Sequence, residues 1–469
     1  MTAPHIVWFR RDLRLADQAA LHHAASLGPV IPVFILDDER AGDRRYGGAH
    51  RWWLHHSLEA LAGELERLGN PLVLRRGDSV AVLSTLAAET GAAAVHAIRH
   101  YEWWWQQAED ALATALPEGC DLHIHDGNYL FPPGSVATGA GQPYKIYGPF
   151  AKAAAGRLPP AEPLAAPDRL TAPDARPRGD RLADWRLLPA RPDWAGGFRS
   201  YWGGKVGERA ALSKLEQFDR AIGAYHVGRN LPSEQGSSQL SPHLHWGEIS
   251  PATVWHHFDG RPEEGWSKFK GELIWRDFTQ NIILQYPRYG EQNAREQFDR
   301  FPWRDPDADP GAAADLKAWQ KGQTGYPIVD AGMRQLWAIG WMHNRVRMIV
   351  ASFLVKHLLI DWRHGERWFW DTLVDADYAN NAFNWQWIAG SGVDAQQFTR
   401  IMAPLTQSAK FDAAGYIREW VPELAGLSDA DIHDPPAGIR PGQYPEPLIG
   451  HQQGRERALT AYRQMKAAG

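Results

Sequence analysis

Near its N-terminus the chain carries the run His5-Ile6-Val7-Trp8-Phe9, the first of five short apolar runs that decide the fold of this region. The other four are Val30-Ile31-Pro32-Val33-Phe34-Ile35-Leu36, Leu72-Val73-Leu74, Ala94-Val95-His96-Ala97-Ile98 and Leu122-His123-Ile124. Short runs rich in β-branched residues predict buried strands. Between them lie helical patterns, such as residues 52–68 with apolar side chains at 54, 58, 61, 65 and 68. This alternation predicts an α/β fold with a doubly wound, Rossmann-like parallel sheet.

The remainder of the chain has two different patterns. Residues 150–193 contain eight prolines and little apolar periodicity, which indicates a long linker on the surface. After Trp202 apolar residues recur three and four apart, which predicts an all-α domain. We therefore predict an α/β domain at 1–130, an interdomain linker at 131–200 and a helical domain at 201–469. No G-x-G-x-x-G follows the first strand, so the α/β domain gives no direct sign of a bound dinucleotide.

The composition limits the class of protein. Of 469 residues, 44% are hydrophobic and 22% charged, which is typical of a folded globular chain. The net charge is −2 up to residue 200 and −3 after it, so a DNA-binding surface would have to be a local basic patch. The single Cys120 excludes an internal disulfide and a cysteine-based metal site, and it fits a cytoplasmic protein. Neither a signal peptide nor a membrane span is predicted.

The first motif that carries chemistry is Glu272-Leu273-Ile274-Trp275-Arg276-Asp277-Phe278-Thr279. On a helix, one face would carry Glu272, Trp275, Arg276 and Thr279, and another would carry Ile274, Phe278 and Ile282. One side would pack while the other offers a carboxylate, an indole and a guanidinium. An ordinary ion pair beside a half-buried tryptophan is the alternative explanation.

The second motif is Gly340-Trp341-Met342-His343-Asn344-Arg345-Val346-Arg347-Met348. At about 100° per residue, Asn344 and Met348 point the same way, whereas Arg345 and Arg347 diverge by roughly 200°. The two arginines can therefore serve two different anionic partners. Alternatively, one lies at the surface and the other pairs with an aspartate of the core.

The third motif runs from Asp375 to Trp387 and contains two acids, three asparagines and two indoles. It is too polar for a core and too aromatic for a loop, which predicts a ligand pocket. On a helix, Trp385 and Trp387 would project to opposite faces. One indole can then line a pocket while the other points into the protein.

These motifs together resemble the DNA photolyase/cryptochrome family. The matching segments, in order, are Val7 to Arg14, Ser238-Gln239-Leu240-Ser241-Pro242, Glu272 to Phe278, Gly325 to Arg334, Trp341 to Met348 and Trp385-Gln386-Trp387. The resemblance covers almost the whole chain. Within the family, the chain is most similar to the bacterial class I cyclobutane pyrimidine dimer photolyases. It implies light-dependent repair of UV-damaged DNA by a deoxyribodipyrimidine photo-lyase. It also implies that the protein is a monomer.

The resemblance also implies a non-covalent FAD in the helical domain, active as FADH⁻. The implied cofactor-binding residues are Tyr225, Ser237, Ser238, Gln239, Leu240, Ser241, Arg347, Asp375, Ala376, Asp377 and Asn381. Among these, Asn381 matches the residue that faces flavin N5, where an amide adds no negative charge to compete with an anionic flavin. The α/β domain of the family often carries an antenna chromophore, and Glu102 is at a plausible position. Folate, deazaflavin, a second flavin or no antenna all remain open.

The implied DNA site lies on the other side of the flavin. Trp275 and Trp387 would form the walls around a flipped dimer, since stacking on a base contributes about 1–3 kcal/mol. The catalytic residues implied are Glu272, Asn344, Met348 and Asn381. The DNA-binding residues implied are Arg229, Glu272, Trp275, Arg276, Thr279, Asn344, Arg345, Trp387, Arg400 and Gln407. Trp385, Trp362 and Trp303 match an electron-transfer chain that reduces the flavin under light.

The reaction implied is redox-neutral: an electron passes from the excited reduced flavin to the dimer, the ring opens, and the electron returns. No metal site is predicted, and His243 and His245 are interpreted as structural. The (6-4) photoproduct is disfavoured because Asn344 and Met348 stand where (6-4) enzymes place a histidine pair. Gln239, Gln397, Thr399 and Ala403 depart from the family pattern. The alternatives are a cryptochrome photosensor, disfavoured by the 45 residues that follow Leu424, and a glycosidase or sugar-binding module.

Overall fold

The computed structural model describes residues 2–467. Its N-terminal part contains one sheet of five parallel strands in the order β3-β2-β1-β4-β5. The strands are β1 His5–Phe9, β2 Val30–Leu36, β3 Val73–Arg76, β4 Ala94–Ile98 and β5 Asp121–His125. The five predicted strands are therefore confirmed, with β3 displaced by one or two residues. Buried parallel strands have apolar side chains on both faces, which is why they were visible as continuous runs.

Helices cover both faces of this sheet. They are α1 Ala19–Leu27, α2 Asp38–Ala41, α3 Gly48–Arg67, α4 Ser79–Thr90 and α5 Trp103–Ala115. Ile6 and Trp8 belong to one hydrophobic cluster, whereas Val7 and Phe9 belong to another on the opposite face. Alternate side chains of β1 thus fill two separate cores, and the predicted doubly wound α/β architecture is confirmed.

The segment predicted as a surface linker is more ordered than its composition suggested. It contains α6 Tyr147–Ala155, a 3₁₀ turn at Leu182–Trp185 and α7 Gly196–Trp202. Its backbone accepts a hydrogen bond from Val30 N at Thr171 O (2.8 Å) and donates one from Asp180 N to Leu74 O (2.7 Å). Leu170, Trp185 and Leu187 are buried against the sheet domain. These side chains are too widely spaced to produce a periodic pattern, yet they attach the segment firmly to the fold.

The C-terminal part is mostly helical, as predicted. Its helices are α8 Glu208–Asp219, α9 Tyr225–Gly228, α10 Ser241–Trp246, α11 Pro251–Phe258, α12 Glu264–Gln285, α13 Pro310–Lys321, α14 Pro327–Ile339, α15 Asn344–Ser352, α16 Trp362–Thr372, α17 Tyr378–Ala389, α18 Pro404–Lys410, α19 Ala414–Trp420 and α20 His451–Ala467. Short 3₁₀ turns lie at Gly42–Arg44, Ile222–Ala224, Glu296–Arg300 and Pro422–Leu424, and a π turn at Phe353–His357. Within residues 2–467, no helix is both long enough and apolar enough to cross a membrane.

Buried polar contacts join the two parts of the chain. Arg44 of the α/β part donates to both carboxylate oxygens of Glu366 at 2.8 Å. The Asp277 carboxylate on α12 accepts a hydrogen bond from Phe131 N at 3.0 Å. Because these groups are almost fully buried, each depends on its partner in the other part of the chain.

Candidate functional site

The helical part encloses a cavity of about 650 Å³ bordered by α10, α12, α15 and α17. This volume is typical of a site for a small organic ligand or cofactor. It is lined by most of the residues predicted from the sequence: Tyr225, Arg229, Ser237, Ser238, Gln239, Ser241, Glu272, Trp275, Arg276, Thr279, Asn344, Arg345, Arg347, Met348, Asp375, Ala376, Asp377, Asn381, Trp385 and Trp387. The fold therefore brings several widely separated motifs to one place.

Five predicted residues lie elsewhere. Leu240 is fully buried in the hydrophobic core and does not line the cavity, so its side chain is not placed to contact a ligand. Arg400 and Gln407 line a neighbouring cavity of about 540 Å³. Trp303 and Trp362 lie outside both cavities.

An ion pair lies in the wall of the main cavity. Arg347 Nη2 is 3.1 Å and 2.9 Å from the two carboxylate oxygens of Asp375, whose side chain is only 1% exposed. Ser241 Oγ donates a third hydrogen bond to Asp375 Oδ2 at 2.6 Å. The guanidinium is also anchored through Nε to Met342 O at 2.8 Å. A cation is thus held in a fixed position beside the cavity, because every contact partner is itself buried or part of the backbone.

The start of α17 places an amide in the same wall. Asp377 caps this helix by accepting a hydrogen bond from Asn380 N at 2.9 Å. One turn later, Asn381 Nδ2 donates to the carbonyl of Glu366 at 3.0 Å and to its Oε1 at 2.9 Å. Glu366 is fully buried and also binds Arg44. The Asn381 amide nitrogen is therefore committed to Glu366, which leaves its Oδ1 available as an acceptor.

The cavity face of α12 carries the predicted set of side chains. Arg229 forms an ion pair with the Glu272 carboxylate. The Trp275 indole stacks on the ring of Tyr147, with centroids 3.5 Å apart and planes 5° apart. Trp275 thus has one aromatic face already covered by a residue from the predicted linker.

Two further residues of this face are engaged inside the protein. The Arg276 guanidinium donates to the backbone carbonyls of Asn128 and Leu244 and lies 4.4 Å from the centre of the Tyr129 ring. Thr279 is buried and donates its hydroxyl to Arg276 O at 3.0 Å. Contact of either residue with DNA stays a prediction, and Arg276 would first have to leave its backbone partners.

Trp385 and Trp387 both line the cavity, although their spacing would have allowed one of them to point away from it. Trp385 is 2% exposed, whereas Trp387 is partly exposed. The two indoles project from opposite sides of α17, as the helical spacing predicted. Both reach the cavity because it extends from the buried side of this helix to its outer side.

The three predicted electron-transfer tryptophans are connected through neighbouring backbone. The Trp385 indole packs onto Gly365, where an added Cβ would overlap the ring. Gly365 is one turn after Trp362 on α16, and Trp362 donates its indole N–H to Asn293 Oδ1 at 2.9 Å. Next to Trp303, Arg304 N donates to Leu359 O at 2.8 Å, three residues before Trp362. These contacts link the surroundings of the three residues, from Trp385 at the cavity to the partly exposed Trp303, and their role in electron transfer stays a prediction.

A group of cations lines the cavity that adjoins the main one. Arg345 and Met348 line both the main and the neighbouring cavity, and Arg400 and Lys410 also line the latter. Arg345 donates to Asn230 Oδ1 at 2.6 Å and lies over the Phe411 ring. Burial, together with repulsion from Arg229 and Arg400, lowers the pKa of Arg345. Arg345, Arg400 and Lys410 thus form a local group of cations of the kind that DNA binding would require in a chain of negative net charge.

Two histidines also line the cavity. Within residues 2–467, both ring nitrogens of His245 and Nε2 of His343 lack a hydrogen-bond partner. Burial lowers the pKa of His343 to about 4 and that of His245 well below its usual value. Both imidazoles are therefore neutral at pH 7 and have hydrogen-bonding capacity left for a ligand.

Comparison with known proteins identifies the family. Residues 5–168 match the family described as DNA photolyase, and residues 269–464 match the FAD binding domain of DNA photolyase. The chain belongs to the DNA photolyase/cryptochrome family. It is 48% identical over 483 residues to the deoxyribodipyrimidine photo-lyase of Agrobacterium fabrum (strain C58), across 99% of this chain and 98% of that protein.

Two further relatives extend the photolyase/cryptochrome comparison. The chain is 34% identical to cryptochrome-1 of Arabidopsis thaliana, across 98% of this chain and 70% of that protein. The chain also resembles the crystal structure of a bacterial class III photolyase from Agrobacterium tumefaciens, with a TM-score of 0.94 over 100% of this chain and 98% of that one. The sequence identity between the two is 48%. These matches confirm the predicted enzyme type and the FAD-binding domain. Membership of class I stays a prediction.

Several residues of this photolyase-family site were not predicted. Lys214 on α8 places its Nζ 2.9 Å from Gln239 Oε1, so a cation lies beside one of the positions that depart from the family pattern. Glu366 orients Asn381, and Tyr147 covers Trp275. No local motif marks any of the three, because their importance depends on what lies opposite them in the fold.

Proposed function

We propose that this chain repairs cyclobutane pyrimidine dimers in DNA, using light and a fully reduced FAD held in the 650 Å³ cavity. When bound, the reduced flavin supplies the electron that light transfers to the dimer and that returns after the ring has opened. The protein binds and orients both molecules, excludes water and sets the local electrostatics. This proposal is finer than family membership, which extends to photolyases and cryptochromes.

The polar groups that line the cavity are suited to binding FAD. Hydroxyl and amide groups at residues 237–239 and the cation of Arg347 can bind phosphate and polar ring atoms. Lys214 adds positive charge next to Gln239. The unpartnered nitrogens of His245 and His343 are buried polar groups that a polar ligand would satisfy.

Asn381 and its partner would favour the reduced cofactor. Glu366 holds the Asn381 Nδ2, so Oδ1 can accept a hydrogen bond from an N–H of the ligand. An aspartate at this position would place a negative charge beside an anionic ring. The neutral amide, with Arg347 in the same cavity, favours the anionic form.

The outer part of the cavity would bind the lesion. Trp387 is partly exposed and offers its ring to a base, and Trp275 offers the side that Tyr147 does not cover. The Glu272 carboxylate is positioned by Arg229 and can accept hydrogen bonds from a base edge. Arg345 and Arg400 at the mouth would neutralise phosphates on either side of the flipped dimer.

One feature favours the cyclobutane dimer over the (6-4) photoproduct: Asn344 and Met348 line the cavity where (6-4) enzymes place a histidine pair. Asn344 and Met348 cannot donate a proton, and burial keeps both His245 and His343 neutral. Repair of a (6-4) photoproduct requires a general acid at the lesion. Opening of a cyclobutane ring by electron transfer does not.

Trp385, Trp362 and Trp303 would serve a separate reaction, the light-driven reduction of an oxidised flavin. Trp385 lines the cavity, Trp362 is fully buried and Trp303 is partly exposed. This order suits the passage of an electron from the surface inward. Repair itself starts with a reduced flavin and does not require this route.

The proposal is tested with purified protein loaded with FAD, reduced under anaerobic conditions and illuminated with blue light. One duplex carries a single cyclobutane dimer and a matched duplex carries a (6-4) photoproduct. We expect restoration of the first only. Repair of the (6-4) duplex would overturn the substrate assignment, and failure to repair either duplex with a full flavin complement would favour the cryptochrome alternative.

A further inference from the structure

Five histidines lie together in the α/β part of the chain, far in sequence from the residues of the flavin cavity. His5 is on β1, His96 on β4, His123 and His125 on β5, and His23 on α1. The strand register places His96 directly beside His123, and their rings stack with centroids 4.9 Å apart. None of the five lines the cavity described above.

One ring nitrogen of His96 lies close to a ring nitrogen of each of two other histidines. His96 Nδ1 is 3.4 Å from His23 Nδ1 and 3.3 Å from His125 Nε2. One ligand nitrogen from each of the three residues lies within 4.8 Å of the others. In a tetrahedral site with Zn–N bonds of about 2.0–2.1 Å, neighbouring ligand atoms are about 3.3–3.4 Å apart. The two observed separations equal that spacing.

Hydrogen bonding alone does not account for this arrangement. His96 Nε2 is 3.1 Å from His5 Nδ1, so its N–H can be donated to His5. In that tautomer His96 Nδ1 carries a lone pair and faces two further nitrogens. Both distances exceed the usual N–H donor–acceptor distance of about 2.9–3.0 Å. A second ring nitrogen held by a hydrogen bond is also the arrangement found in most metal-binding histidines.

We propose that His23, His96 and His125 form a binding site for a divalent transition-metal ion of the zinc type. Imidazole ligands suit Zn²⁺, Ni²⁺ and Cu²⁺, and three of them leave one tetrahedral position for water. The site is accessible, because β5 is the edge strand of the sheet and both His23 and His125 are partly exposed. An ion there would join α1, β4 and β5. No metal site is predicted from the sequence.

The probe is Zn²⁺ alone, added to the full-length protein after treatment with a chelator. A second candidate group, His55, His56 and Glu59 on α3, is exposed enough to bind Zn²⁺ weakly. The reference protein therefore carries His55→Ala and His56→Ala. We expect this reference to bind one equivalent of Zn²⁺ in calorimetric titration, and its melting temperature to rise by several degrees when Zn²⁺ is added.

Variants of the cluster are compared with a matched control on the same helix. His23→Ala and His125→Ala should each weaken Zn²⁺ binding at least tenfold and abolish the thermal shift. His22→Ala removes the neighbouring exposed histidine of α1 and should bind Zn²⁺ like the reference. Equal Zn²⁺ affinity in His125→Ala and the reference would overturn the proposal.

A spectroscopic measurement makes the test independent of any cluster variant. Co²⁺ substituted into the reference protein should give the intense visible absorption of a tetrahedral nitrogen site. Absence of stoichiometric Zn²⁺ binding together with absence of these bands would refute the site. Flavin content, which should be unchanged throughout, reports that the helical domain remains intact.

Discussion

Replacing Trp387 by Ala tests which aromatic surface binds the lesion. Trp387 lines the cavity, is partly exposed and makes no ring contact with another aromatic side chain within residues 2–467. The exposed part of its ring is therefore available to a base, while the remainder packs against the core. Loss of one base–aromatic stack costs about 1–3 kcal/mol, which corresponds to about a 5- to 140-fold weaker affinity. Flavin content should not change, because no hydrogen bond to the cavity wall is removed.

The affinity is measured by fluorescence anisotropy at fixed salt, with one oligonucleotide that carries a dimer and one that does not. The matched control is Trp337→Ala, since Trp337 is 53% exposed, stacks on Trp368 and lies outside the cavity. Only Trp387→Ala should lose discrimination between the two oligonucleotides. Equal loss in both variants would refute a specific stacking role, and release of flavin from Trp387→Ala would show that the indole supports the cofactor instead.

Three further changes address other parts of the site. Trp385→Phe should abolish the photoreduction of oxidised flavin. The same variant, once reduced chemically, should repair dimers nearly as well as the parent protein. Photoreduction at the parental rate would contradict electron transfer through Trp385. Arg345→Ala should weaken the binding of damaged and undamaged DNA equally, and it should reduce the slope of log K against log salt by about one phosphate contact. An unchanged slope would show that Arg345 does not contact a DNA phosphate. Burial raises the pKa of Asp277 to about 7, above an unfolded value of about 3.9, so the folded state holds a proton that the unfolded state releases. The unfolding free energy should therefore fall as pH rises from about 4 to 7, and urea unfolding of Asp277→Asn should lack this component of the pH dependence.

The sequence by itself determined the architecture because local periodicity encodes it. Buried parallel strands appear as continuous apolar runs, and the recurrence of apolar residues three and four apart identifies helices. Spacing on single helices also predicted that Glu272 shares a face with Trp275 and that Asn344 shares one with Met348. Each of these relations lies within one element, where the backbone geometry fixes which side chains are neighbours.

Only the tertiary structure decided how separate elements complete one another. Glu366 orients Asn381 from a different helix, and Lys214 donates a hydrogen bond to Gln239 from a third. The proximity of His23, His96 and His125 likewise depends on how α1 packs against β4 and β5. Contacts between residues so far apart in the chain leave no periodic signal, because they arise from packing of complete elements and not from the conformation of any one of them.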